Sequence, residues 1–299
     1  MIFSINDEFV IEPSVDFKSV SGIEDRTDAG HRLANVVPID IERTALSKVS
    51  RQANISFIAI AEVHKHDLAV RLANRETAAG LLPLGEVGRT EYRRLDAAVE
   101  RFVEMVRASR ADPSRPALDI DLAVTRFHVT GRIREFTNSG PLLFRCAKAK
   151  PIDILRAWTL HLAANLLEPG SYTTLVAEDG CRHYTPPAEA RTLLEDLLEV
   201  YWLGLRAPLK FFSTTAFAFA EGQRKASGGG RSAALVQAKG LEEARKSWEG
   251  NEYRLVPAER DQPAIALCFR EADPLDADFI SLVERIVSPI LYHEVKEEP

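Results

Sequence analysis

The chain has 299 residues, with 44 acidic and 38 basic side chains for a formal net charge of −6, and 45% of its residues are hydrophobic. That balance excludes a wholly disordered chain, and no run approaches the roughly 20 apolar residues of a membrane-spanning helix. The opening MIFSINDEFVIEP lacks a basic stretch followed by an apolar one, so no signal peptide is read there and a cytoplasmic protein without a membrane partner is expected.

Residues 1–55 mix short apolar runs with Pro13 and Pro38 and carry no motif. ISFIAIAEVHKHDLAVRLANRETAAG (55–80) has helical spacing, with Gly80 as its C-terminal stop. A Pro/Gly turn then leads into a helix whose apolar stripe is Leu95, Val99, Phe102 and Val106. After the loop ADPSRPA come alternating strands at Leu118–Val124 and Phe127–Ile133. Two strand-like runs, Phe127–Phe136 and Pro141–Cys146, flank the turn signal Asn138-Ser139-Gly140, and a hairpin is expected there.

PIDILRAWTLHLAANLLEPG is an amphipathic helix carrying Ile154, Leu155, Trp158, Leu162 and Leu166, and Pro169-Gly170 stops it. A second hairpin turns at Asp179-Gly180. Thr185 is the expected cap of the next helix, with Pro186 and Pro187 at its first positions and its end near Gly204. APLKFF is extended, TTAFAFAEG a small helix, and QRKASGGGRS a flexible loop. Helices over about 233–248 and 276–287 follow, the second broken by Pro289. This order of elements makes an α/β (α+β) fold, a mixed sheet with helices packed around it.

Several chemistries lack the residues they need. ASGGGRS offers glycine amides for a phosphate, but it has neither the Lys nor the Ser/Thr of GxxxxGK[ST] in place. His64, His66 and Asp67, or Cys181 and His183, are fragments of a metal site without a second half, and no metal or cofactor is expected. Cys146, Cys181 and Cys268 stand far apart without CxxC spacing, which leaves an iron–sulfur cluster or structural zinc without support.

Charge is unevenly placed. Leu241–Pro299 holds fourteen acidic and seven basic residues, whereas Arg126–Arg156 holds seven basic residues against only Glu135 and Asp153. The centre of that cationic stretch is GRIREFTNSGPLLFRCAKAK (131–150). Metal-dependent DNA cleavage needs carboxylates on adjacent strands to hold magnesium, and a Lys beside them. In restriction-endonuclease-like nucleases the ligands lie on a hairpin, an Asp after a GxI approach and then Asp/Glu-x-Lys. Here Arg134 stands in the first place, Cys146 in the second, and Lys148 in the third. An Arg and a neutral thiol cannot replace two hard oxygen ligands. A basic hairpin of other origin, a dead nuclease, and a nuclease using Glu135, Asp119 or Asp121 instead all remain open on these residues alone. Arg132, Arg134, Arg145, Lys148 and Lys150 are the candidates for contact with DNA phosphates.

GLLPLGEVG (80–88), DILRAWTLHLAANLL (153–167), LLEDLLEVYWLGLRAPLKFF (193–212), ARKSWEGNEY (244–253) and DFISLVERIVSPILYHEV (278–295) form an ordered series. As a series they resemble the C-terminal region of the exodeoxyribonuclease V gamma chain (RecC) family. The resemblance implies a restriction-endonuclease-like fold that lacks the catalytic site of the RecB nuclease domain. It also implies no enzyme activity in this segment, RecB-like and RecD-like subunits as partners, and a scaffold that guides or splits DNA during double-strand break repair and recombination. On this reading residues 81–299 form the nuclease-like domain, and residues 1–80 are a helical extension packed on it.

Overall fold

The structure, a computed structural model, describes residues 9–13, 80, 83–110, 114–228, 232–251, 256–269 and 273–297. The chain divides into two units, one made of residues 1–14, 110–144 and 148–299 and the other of 15–109 and 145–147. The second unit contains helix α1 (Glu86–Ser109), which buries Phe102 and Val106 and leaves Leu95 and Val99 half-buried. The helix expected over 55–80 lies outside the described residues except for Gly80, whose φ is 71°.

In the first unit, alternation builds a three-stranded antiparallel sheet in the order β1 (Phe9–Pro13), β4 (Phe127–Ile133), β3 (Leu118–Val124). Ile120, Leu122, Val124, Phe127, Val129 and Ile133 point into the core. Asp119, Asp121, His128 and Arg132 point out. Val124 pairs with Phe127 across a two-residue turn. Arg126 in that turn lies over the Trp202 ring and pairs with Glu199.

The expected hairpin around Asn138-Ser139-Gly140 forms only at its tip. Thr137 N–H donates to the Gly140 carbonyl at 2.9 Å, Leu142 N–H donates to Glu135 at 2.9 Å, and Phe136 bridges Pro141. Beyond the tip the arms part. Strand β4 is already hydrogen-bonded on both edges, by β1 and β3, so it has no edge left for the second arm. A short β5 (Phe136–Thr137) pairs instead with β2 (Ser114–Arg115). β6 (Leu142–Arg145) joins a second sheet, in the order β6, β7 (Thr173–Ala177), β8 (Gly180–Tyr184), β9 (Glu294–Glu297). Tyr172 N–H donates to Ser139 and Thr174 N–H to Pro141, an advance in one direction that makes β6 and β7 parallel. Gly140 (φ 135°) is required at the crossing point, because a Cβ there would lie 2.0 Å from the Tyr172 carbonyl oxygen.

Helix α2 (Pro151–Leu167) connects β6 to β7 and contacts both β3 and β7. Its residues Ala157, Trp158, Leu160, Leu162, Ala163 and Ala164 are at most 3% exposed, as befits a helix walled in on several sides. α3 (Ala190–Arg206), α4 (Ser213–Ser227), α5 (Ala233–Glu249), α6 (Pro263–Phe269) and α7 (Ala277–His293) complete the unit. α3 begins three residues after Pro187 and Thr185 does not cap it: the Thr185 hydroxyl lies 3.3 Å from the His293 carbonyl, to which the Thr185 N–H also donates at 3.0 Å. α4 runs further than the sequence suggests, into QRKAS, and crosses α5 closely. At the crossing, a Cβ on Gly240 would lie 3.0 Å from the Phe219 ring. The GGG segment expected to be loop falls mostly outside the described residues.

Pro289 does not break the last helix. An interior proline costs ~3 kcal/mol. Burying Val283, Ile286, Val287 and Ile290 on one face of α7 returns ~1.5–3 kcal/mol for each large apolar side chain, which outweighs that cost.

Two buried polar side chains in this core, Glu259 and His161, are matched in detail. Glu259, 5% exposed in a 3-10 turn (Glu259–Asp261), accepts from Thr214 N–H at 3.1 Å and Thr215 N–H at 2.7 Å, and so caps α4 from outside its own sequence. His161, fully buried on α2, sits 3.2 Å through Nε2 from the Thr185 carbonyl and 2.9 Å through Nδ1 from the Thr173 hydroxyl. A carbonyl only accepts, so Nε2 carries the proton and Nδ1 is the acceptor. Burial pushes His161 down from 6.5 to about 4, with His293 adding to the fall and the Thr185 hydrogen bond opposing it.

Two measurements follow from these matches. Glu259→Ala is expected to lower stability by about 2 kcal/mol in urea unfolding at neutral pH, since it orphans the buried Thr215 amide and removes the partner of the more exposed Thr214 amide. For His161 the unfolded chain takes up a proton, between pH 6.5 and about 4, that the folded chain refuses. Stability is therefore fully present above the unfolded value and declines as the pH falls through that window, by about 3 kcal/mol in all. His161→Gln should show that much less acid sensitivity than the unmodified chain.

Candidate functional site

The outer face of the β3–β4 pair carries three of the charged residues singled out in the sequence, Asp119, Asp121 and Arg132. Asp119 and Arg132 are directly paired across the strands, and Arg132 Nε lies 3.3 Å from Asp119 Oδ1. Asp121 meets His128 Nε2 diagonally. Glu135, just past the end of β4, accepts from Arg110 at 2.6 Å, and the Arg110 guanidinium also lies over the Phe144 ring. Each of the three acids that could have replaced a missing metal ligand thus has a nitrogen partner of its own: Arg132, His128 and Arg110. Among the described residues, no three His, Cys, Asp or Glu side chains gather in a way that could hold a metal ion. Cys181 and His183 lie in the second sheet, with His183 Nδ1 3.1 Å from the Thr174 hydroxyl, while His64, His66 and Asp67 fall outside the described residues.

Arg132 is exposed on the sheet face, and Arg134 is exposed in the segment beyond it. They stand two residues apart, but Arg134 lies after the strand has ended, so the alternation of a strand no longer fixes its direction. Lys148 and Lys150 are exposed on the short link between β6 and α2. The backbone of that link is pinned at two points. Ala149 N–H donates to Asp179 Oδ1 at 2.7 Å, and Lys150 N–H donates to Asp153 Oδ2 at 2.8 Å at the start of α2. Two lysine side chains therefore project from an ordered backbone beside a helix N-terminus, an arrangement suited to an anionic group. Arg145 ends β6 and Cys146 follows it, both half-buried and both assigned to the smaller unit.

A second ionic cluster was not foreseen in the sequence. On the inner face of the second sheet, Arg182 Nη2 donates to Asp179 Oδ2 at 2.7 Å, and its Nε lies 3.3 Å from Glu294 Oε1. The other Glu294 oxygen lies 3.8 Å from Arg224, which in turn pairs with Glu221 at 2.8 Å. The Arg182 and Glu294 side chains are only 5% and 2% exposed. Burial works against the charge on Asp179, yet its hydrogen bond from Arg182 holds its carboxyl below the usual range. For Glu294 burial prevails and its carboxyl is raised, despite the attraction of Arg182, Arg224 and Lys296. The one visible sign was Arg182 and Tyr184 sharing a strand face with period-two spacing. The strand that brings Glu294 to them, β9, has no turn signal before it because it continues directly from α7.

Comparison with known families adds one result. The family model described as the RecC C-terminal domain matches residues 38–224, more than half of the chain. The match takes in the whole stretch from Arg132 to Lys150, begins within the first 80 residues, and stops before α5. A search of the curated proteins finds no match.

Surface pairs of this kind contribute little to stability, so Arg132→Ala and Asp119→Asn are expected to shift the urea midpoint by the equivalent of less than about 0.5 kcal/mol. A larger loss would mean that the pair holds the β3–β4 sheet together and is not available as a binding surface.

Proposed function

On the premise that this chain belongs to the RecC C-terminal domain family, we propose that it acts as a non-catalytic scaffold in the gamma subunit of a bacterial exodeoxyribonuclease V. RecC proteins belong to that complex, which works in DNA repair and recombination together with other Rec subunits. In this reading the chain holds RecB-like and RecD-like partners in the cytoplasm and helps to guide or divide the DNA strands. Residues 81–299 are proposed as its nuclease-derived domain and residues 1–80 as an extension of it.

The family match carries the reading, and the chemistry of the charged surface supports its non-catalytic character. At the places proposed to descend from a nuclease site stand Arg134, Cys146 and Lys148. Two of these cannot ligate magnesium as carboxylates do, and an arginine repels a cation at close range. Asp119, Asp121 and Glu135 are occupied by Arg132, His128 and Arg110. Basic side chains suit phosphate better than metal. Arg132, Arg134, Arg145, Lys148 and Lys150 are proposed as phosphate contacts, which position DNA without reading its sequence.

Two experiments test this. Incubated with labelled single- and double-stranded DNA in magnesium or manganese, with chelator controls, the purified chain is expected not to cut. Metal-dependent cleavage that disappears in Asp119→Asn, Asp121→Asn or Glu135→Gln would sink the non-catalytic reading. In DNA-binding titrations, Lys148→Ala with Lys150→Ala should weaken affinity equally for all sequences and lower the slope of log K against log salt by about two, roughly one for each lost phosphate contact. An unchanged slope would restrict the role to holding protein partners.

A further inference from the structure

Strand β9 is attached by a different kind of contact from the helix it continues. α7 is anchored through Phe279, Val283, Ile286, Val287 and Ile290, all buried in the apolar core. Past that anchor Leu291 still packs against the core, but Tyr292 is 83% and Val295 51% exposed. Lys296 is exposed as well. β9 is held by its antiparallel ladder to β8, in which Tyr184 stands opposite Glu294 and Arg182 opposite Lys296, and by the inward side chain of Glu294. Among the described residues it pairs on that side only.

The face that β9 buries is polar and incompletely matched. Glu294 reaches Arg182 and Arg224 at 3.3 and 3.8 Å, longer than a charge-assisted hydrogen bond at its best. The Tyr184 hydroxyl and Arg182 Nη1 are buried on the same side, and neither has a hydrogen-bond partner among the described residues. The groups facing Glu294 are Arg182 and Tyr184 from β8, Arg224 and Glu221 from α4, and Lys296 from β9 itself, with Asp179 behind Arg182. Water would satisfy the orphaned atoms and the carboxylate if the joint opened, so closing it encloses a cost that an apolar joint would not carry. The raised carboxyl of Glu294 has the same sense, since its charged form is worse off buried than free.

We propose that β9 is a releasable strap: it opens from β8 as a unit while α7 stays packed, and the buried Glu294 carboxylate is the group that favours opening. Opening leaves the core side chains in place and bares the outer edge of β8, Gly180–Tyr184.

Hydrogen exchange read by mass spectrometry on the full chain at pH 7.5 tests the proposal. Amides of residues 294–297 should exchange at least about a hundredfold faster than those of 283–290, as separate opening units do. Glu294→Gln keeps the shape and removes the charge, and should slow exchange in the strap about threefold or more. Arg182→Gln leaves the carboxylate without its nearest cation and should speed it about tenfold, with α7 unchanged. A common rate for strap and helix would overturn the idea. So would faster exchange in Glu294→Gln, which would make the ion pair a plain clamp. If Arg182→Gln loosens α7 as well, the Glu294→Gln comparison decides alone.

Discussion

Everything in the larger unit depends on the burial of helix α2. Its surface is apolar nearly all round, and such a helix can be stable only where other elements cover it on several sides. One sheet supplies β3, the other supplies β7, and α3 and α4 close much of the rest. The same burial makes the polar residues on α2 demanding. His161 and Asn165 must find partners in the second sheet and its loops, and they do: Asn165 Nδ2 donates to the Ser171 carbonyl at 2.9 Å, and His161 reaches Thr173 and Thr185. Apolar burial supplies the affinity, and the hydrogen bonds fix how α2 is rotated and how far it slides.

The arrangement of charge follows from how the two sheets share the chain. Because β4 is central in its own sheet, the segment after it must leave, and it does so through the tight turn at Gly140 into a β–α–β unit made of β6, α2 and β7. The cations near the turn are thereby distributed between an exposed sheet face, at Arg132, and the pinned entry to α2, at Lys148 and Lys150. A nuclease site needs carboxylates brought together on neighbouring strands. Here the strands that carry the relevant positions are in different sheets, and the nearby acids are each engaged by a local Arg or His side chain.

Much of this was legible in the sequence where local pattern decides. The strands at 118–124 and 127–133 and α2 with its Pro-Gly stop announce themselves by period and by turn residues, and so does the second hairpin, although its two turn residues are Glu178-Asp179 and not Asp179-Gly180, because Gly180 already pairs with Ala177 as the first residue of β8. What was not legible depends on non-local competition. The two arms around Asn138-Ser139-Gly140 look like a hairpin until β1, over a hundred residues earlier, takes the second edge of β4. Pro289 reads as a break until the buried face of α7 outweighs it. Glu259 looks like one more surface acid in an acidic stretch, and only the fold shows it capping a helix that starts 46 residues before it. In the candidate site the same limit applies. The residue types that argue against metal binding are visible in the sequence, whereas the pairing of Asp121 with His128 and of Glu135 with Arg110 is not.

Pairing of β9 with β8 has a consequence for synthesis on the ribosome. Glu294 is translated roughly 110 residues after its neighbour Tyr184, which at ~5–20 residues per second means a delay of about 5–20 s. During that interval the nascent second sheet has β6, β7 and β8 available, but the outer edge of β8 has no strand of its own to meet. Arg182 keeps Asp179 as a counter-ion throughout, because the two sit in one hairpin, so the growing sheet carries a hydrated ion pair at its open margin. A hydrated charge is a poor template for the edge-to-edge contacts that lead nascent chains to aggregate.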